Sequence, residues 1–316
     1  MPTLHPQIVK ALETMAKLDL KPIEAMEPPE ARRQMEETAK SRRAEPLPVA
    51  QVEERAIPGP AGPIMVRLYW PEATGNATGP VPAIAYYHGG GHVIGRLDTH
   101  DLIARNLCHG AAALVCSVDY RMGPEHRFPA AIEDSFAALE WLHANAAALG
   151  ADPARLGVHG DSAGGNLAAV VALMARDRGG PALRLQSLVY PVADYTLSAP
   201  SYEQFAEGYG LLTRAAMRWF QGHYLRRLED AADWRASPIK AASLKGVAPA
   251  IVVTAECDVL HDDGAGYAEA LRQAGVAVEY REYKGMIHAF FGMVPAVDDA
   301  MNAQRAVAAA FRRAFA

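Results

Sequence analysis

The chain is poor in cysteine, in net charge and in long apolar runs, and each shortage removes a class of protein. Only Cys108, Cys116 and Cys257 stand among its 316 residues. An odd count without C-x-x-C spacing argues against a disulfide framework and against a structural zinc site. That usage fits a reducing compartment, so a cytoplasmic setting is expected. The net charge is −5, which leaves no basic stripe for nucleic acid. Arg32, Arg33 and Lys40 are interleaved with Glu30, Glu36 and Glu37, as on a solvated helix face. No apolar run approaches the ~18 residues needed to cross a bilayer. The closest, 166–175, reads as a buried helix. Residues 1–17 lack the apolar stretch of a secretory signal, and Ile8, Leu12, Met15 and Leu18 recur there at helical spacing. Neither a nucleic-acid partner nor a membrane is expected.

What the chain does have is ordinary for a globular protein: 50% hydrophobic and 21% charged residues. Beyond an amphipathic N-terminal segment and a Pro-rich break at 46–48, two strand-like runs, 52–57 and 64–70, flank a Pro/Gly turn. The stretch 75–80 reads as a loop. Apolar strands then alternate with helices: strands over 83–87, 112–118, 156–159, 185–190, 249–255 and 276–283, helices over 98–109, 129–149, 162–175, 264–274 and 298–315. Gly110 is read as the stop of the first of these helices. The alternation implies a mostly parallel sheet of eight strands with helices on both faces. It is interrupted over 193–244, an aromatic-rich insertion too long for a plain loop. This insertion and residues 1–48 are expected to form a helical cap over a catalytic domain spanning 49–316.

Ligands of such sheets sit at the carboxyl ends of the strands. Gly160-Asp161-Ser162-Ala163-Gly164 falls between an apolar strand and an apolar helix. There a serine is held in a strained turn with its hydroxyl exposed, and the helix N-terminus favours negative charge. Earlier, His88-Gly89-Gly90-Gly91 follows the strand ending at Tyr87. Its glycines let backbone N–H groups face a ligand, so Gly89, Gly90 and Ala163 are candidate donors to an oxyanion. G-x-G-x-x-G is absent, and no P-loop lysine follows the glycines, which disfavours a nucleotide cradle. His88 and His92 are four apart, but three intervening glycines disfavour the helix that would aim both at a metal. No metal and no cofactor are expected.

A nucleophilic serine needs a base, and the base needs an orienting group. Asp258 follows the strand ending near Ala255, and His288 follows the strand ending near Tyr283, in the order Ser, Asp, His that this architecture uses. Asp262 is the rival to Asp258, beside His261 at a helix start where a carboxylate often caps. His126 and His159 lie in less suitable places. Asp161, His92, Tyr190, Phe205, Leu211 and Ile287 are the expected pocket residues.

With these segments assembled, the chain resembles the bacterial hormone-sensitive-lipase-like esterases, family IV. The motifs that carry the likeness are His88-Gly89-Gly90-Gly91, Gly160 to Asn166, and Asp119-Tyr120-Arg121 with Pro124-Glu125-His126 and Phe128-Pro129-Ala130. Two later ones are Asp258-Val259-Leu260 with Asp262 and Gly264, and Gly285-Met286-Ile287-His288 with Phe290. Together they cover residue 50 onward. Met122-Gly123, Val259, His92 and Ala289 depart from the usual pattern without removing a catalytic group. The resemblance implies hydrolysis of short- to medium-chain carboxylic esters by an acyl-enzyme, a two-segment cap, and a homodimer paired through the last strand, 276–283. An amidase, deacetylase or lactonase on the same triad is the alternative. A non-catalytic receptor on this fold would lack a base such as His288.

Overall fold

From Ala83 on, β3 (Val81–Tyr87) is buried without alternation, the pattern of a strand covered on both faces. β4 (Leu114–Asp119) and β7 (Ala250–Cys257) read the same way. In the computed structural model, which describes residues 2–41, 44–72, 79–207, 209 and 211–316, these strands form the middle of an eight-stranded sheet of order β1-β2-β4-β3-β5-β6-β7-β8. β1 (Gln51–Ile57) and β2 (Ile64–Trp70) join antiparallel, and β2 pairs antiparallel with β4. From β4 through β3, β5 (Ala151–Asp161), β6 (Leu183–Val189) and β7 to β8 (Val278–Ile287) every pairing is parallel. One helical layer pairs α3 (Asp101–Ala111) with α9 (Asp298–Phe315), and the other pairs α4 (Ala130–Asn145) with α5 (Ala163–Asp177). α8 (His261–Gln273) packs on β7 and β8. This is the α/β architecture that the alternation predicts.

Several boundaries differ from the sequence reading. Gly110 lies inside α3 instead of ending it, and its lack of a side chain answers to α9, since a Cβ there would stand 2.8 Å from that of Ala308. The helix stops at Ala112, whose φ is 52°. The helix expected over 129–149 gives way to a 3₁₀ turn at Ala147–Leu149. β8 is shifted toward residue 287 relative to the expected 276–283. Of the loop expected over 75–80, residues 75–78 lie outside the described residues.

Above the carboxyl ends of the strands lie two segments remote in the chain. The N-terminal one contains α1 (Pro6–Ala16) and α2 (Pro28–Ser41). The insertion over 193–244 contains α6 (Ser201–Gln204) and α7 (Arg214–Tyr224), followed by 3₁₀ turns at Leu228–Ala232 and Pro238–Lys240. Trp219 Nε1 of α7 donates to Met26 O at 3.0 Å. Arg32 of α2 donates to Val93 O and Gly123 O, both at 2.8 Å. The start of the chain is fastened too: His5 N donates to Gly285 O at 3.0 Å, and Gln7 Nε2 donates to Asp298 at 3.0 Å.

Candidate active site

The turn from β5 to α5 carries Ser162 at φ 55°, ψ −119°, a region L-residues rarely occupy. Two neighbours make the turn possible. A Cβ on Gly160 would lie 2.0 Å from Gly164 O, and one on Gly164 would lie 1.9 Å from Tyr87 O. Because Ser162 is not helical, α5 starts at Ala163, one residue later than the sequence suggests. The Ser162 N–H is tied to Val189 O at 2.8 Å.

Asp258 immediately follows β7, and His288 immediately follows β8. The Asp258 side chain is buried, and its Oδ1 accepts the Leu260 N–H at 3.0 Å. His288 Nδ1 lies 2.7 Å from Asp258 Oδ2, and His288 Nε2 lies 3.0 Å from Ser162 Oγ. A carboxylate only accepts, so Nδ1 carries the proton and the Nε2 lone pair faces the serine hydroxyl, which donates. Tyr190 packs against the imidazole, with ring centroids 4.6 Å apart.

Asp262, the rival carboxylate, is engaged elsewhere. It bonds His261 Nδ1 at 2.8 Å and accepts the Ser201 N–H at 2.9 Å, fastening the insertion to α8. His159 bonds Ser187 Oγ at 3.0 Å within the sheet. His88 and His92 stack on different rings, Tyr120 and Tyr224, so they do not aim at a common point. Among the described residues no group of three His, Cys, Asp or Glu side chains stands placed to hold a metal ion.

A cavity of about 240 Å³ opens at Ser162 and His288. Of the expected pocket residues, Asp161, Tyr190 and Leu211 line it; of the expected oxyanion donors Gly90 lines it and Gly89 and Ala163 do not, while Gly91, which was not among them, does. His92, Phe205 and Ile287 do not. His92 has φ 59° and turns its ring into the insertion, stacked 3.9 Å from Tyr224. Phe205 faces Tyr209, and Ile287 is buried on β8 beside Cys257. Sequence reasoning missed Ile23 and Met35 from the N-terminal segment, Thr99 and His100 beyond the glycine loop, and Met217 and Phe220 on α7. The apolar faces of α2 and α7 were the available signal, but neither says which site it covers. Asp161 is buried next to Ser162 in the chain, where it accepts from Tyr86 OH at 2.9 Å. Burial holds its carboxyl above the ordinary range.

A strained serine at a strand-to-helix turn, with a histidine and a carboxylate on the next strand ends, defines an alpha/beta hydrolase. Residues 84–292 match a family model described as the alpha/beta hydrolase fold. The chain belongs to that family, in its hormone-sensitive-lipase-like branch. It is 47% identical over 248 residues to the carboxylic ester hydrolase LipN of Mycobacterium tuberculosis, covering 77% of this chain but only 65% of that protein, under two thirds. It is 39% identical over 298 residues to the ethyl acetate hydrolase of Pseudomonas putida, covering 93% of this chain and 92% of the relative. Among solved structures, the ester hydrolase EH1AB1 from the metagenome of Lake Arreo, complexed with a bipyridine phosphonate derivative, superposes with a TM-score of 0.93 at 38% identity, covering 99% of each chain.

Proposed function

We propose that the protein is a serine carboxylesterase that cleaves short- to medium-chain esters through an acyl-enzyme on Ser162. The observation that carries the reading is the unbroken chain from Ser162 Oγ through His288 to Asp258. Ser162 Oγ attacks the ester carbonyl carbon while its proton passes to His288 Nε2. The tetrahedral oxyanion is held by the N–H groups of Gly89, Gly90 and Ala163. The ester C–O bond breaks, and the alcohol leaves with the proton from His288. Water then attacks the acyl-enzyme by the same route, with Asp258 keeping the imidazole oriented.

The lining supports the chain-length limit: the cavity at Ser162 is bounded by side chains of both segments, Ile23, Met35, Met217 and Phe220. Rates on p-nitrophenyl acetate, butyrate and palmitate test this. Butyrate turnover well above palmitate is expected, and equal rates overturn the limit. A p-nitroanilide tests amide cleavage in the same assay. Ser162→Ala is expected to lower kcat by about 10⁴-fold or more; retained turnover refutes the nucleophile.

The same proposal makes residues 1–48 and 193–244 a cap, supported by Met35 and Phe220 lining the cavity from those two segments. It includes a cytoplasmic setting, supported by three cysteines that are all free and buried. Among the described residues no helix is long and apolar enough to cross a membrane. It also includes a homodimer paired along β8. That strand lies at the sheet edge, where unpaired backbone groups invite a second copy. Light scattering that reports a monomer removes the dimer.

A further inference from the structure

A second cavity, of about 540 Å³, lies beside the catalytic one. It is lined by Ala11 and Met15 of α1, by Leu18 just beyond that helix, and by Met293, Val294 and Pro295 of the segment before α9. The polar side chains around it are already engaged. Gln7 Nε2 donates to Asp298 at 3.0 Å, Thr14 Oγ1 donates to Lys10 O at 2.9 Å, and Thr38 Oγ1 donates to Gln34 O at 2.8 Å. Lys10 is exposed and keeps its charge in water. What remains for an occupant is mostly hydrocarbon, the kind of lining that takes an alkyl group.

Leu211, Ala289 and Gly292 line both cavities. Ala289 carries only a methyl and Gly292 no side chain. Among the described residues, Leu211 is therefore the one sizeable side chain on the wall that the two spaces share. This wall stands immediately beyond the base. The chain turns sharply after His288, with Ala289 at φ 64° and a 3₁₀ turn over Phe290–Gly292. An ester oxygen that takes its proton from His288 Nε2 must sit against the imidazole. The carbon chain on that oxygen thus starts next to the shared wall, while the acyl part is bonded to Ser162. Leu18 is 48% exposed, so the outer cavity reaches the surface. An alcohol held there has a way out while the acyl group stays on the enzyme.

We propose that the outer cavity binds the far end of the alcohol group of a medium-chain ester, and that Leu211 sets how much of that group is admitted. The inference rests on the serine-esterase reading and deepens it by naming the part of the substrate that each space takes. The catalytic cavity holds the acyl group and the ester link, and the outer cavity holds the tail of the leaving alcohol. Contacts made there are remote from the reacting atoms and act on the ester through its alcohol chain length alone.

Alkyl acetates vary the alcohol at constant acyl group, and p-nitrophenyl esters vary the acyl group at constant alcohol. The readouts are two ratios of kcat/KM: octyl acetate over ethyl acetate, and p-nitrophenyl octanoate over p-nitrophenyl acetate. Leu211→Ala is expected to raise the alcohol ratio at least about tenfold and to move the acyl ratio less than about twofold. Ala11→Trp and Ala296→Trp fill the outer cavity from two sides, and each is expected to lower the alcohol ratio about tenfold. A general loss of packing would lower all four rates together and leave both ratios in place. Should one Trp variant fail to fold, as judged by circular dichroism, the other and Leu211→Ala decide. An alcohol ratio that stays constant in Leu211→Ala or in the folded Trp variants overturns the proposal. So does an acyl ratio that shifts as much as the alcohol ratio. Turnover of p-nitrophenyl acetate by the parent separates the two readings. No turnover means that the esterase reading itself fails, and turnover with constant alcohol ratios means that only the role of the outer cavity fails.

Discussion

Three imidazoles, those of His88, His92 and His159, are fully buried, and burial lowers their pKa values to about 4, about 3 and about 4. A histidine whose folded pKa lies below its unfolded value of about 6.5 binds a proton more readily in the unfolded chain. Its contribution to stability is complete above that unfolded pKa and is lost as pH falls through the window between the two values. His92 is the clearest case, since neither ring nitrogen has a partner among the described residues. Between pH 8 and pH 5 it should cost about 2 kcal/mol of stability. Urea unfolding of the parent and of His92→Phe at both pH values checks this. The variant should lose about 2 kcal/mol less on acidification, whatever its stability at pH 8; identical losses would place the titration elsewhere. The same residue shows where sequence reading stops. His92 follows the glycine loop and so looks like pocket lining, yet its positive φ sends the ring the other way. Asp258 and His288 were legible because each needs only to follow a strand, and strand order is visible in the hydrophobic pattern.

The β5–α5 turn depends on contacts with β3 that no local pattern reveals. G-x-S-x-G marks the turn in the sequence, but the reason for Gly164 is the backbone of Tyr87, where a Cβ would overlap the carbonyl. Gly164→Ala is expected to push α5 away from β3, destabilise by about 3 kcal/mol or more, and abolish turnover by displacing Ser162. A thermal melt alongside the ester assay checks both, and an unchanged melting temperature would show that the turn tolerates the methyl. Gly110 teaches the same lesson in reverse. Read alone it is a helix stop, whereas in place it is a close contact between α3 and α9. Element identity could be read from periodicity, while several ends were set by packing partners distant in the chain.

The substrate cavity is enclosed by parts of the chain that meet only once the protein is assembled: Met35 from α2, Ile94 and His100 after the glycine loop, and Phe220 from α7. That is why the groups that converge at Ser162 could be named from sequence and most of the walls could not. Met35→Trp should fill part of this space. Relative to the parent, kcat/KM for p-nitrophenyl octanoate is expected to fall at least tenfold more than that for acetate. Equal effects on both esters would move Met35 out of the acyl path.

The bond from His5 N to Gly285 O has a consequence in time. A ribosome makes residue 5 long before residue 285, so the earlier segment must wait for the later one before it can settle. Until then the roof over the cavity is unfastened at its N-terminal end. The N-terminal segment that supplies Ile23 and Met35 to the cavity is therefore secured by the docking of old chain onto new, three residues before His288 in the chain.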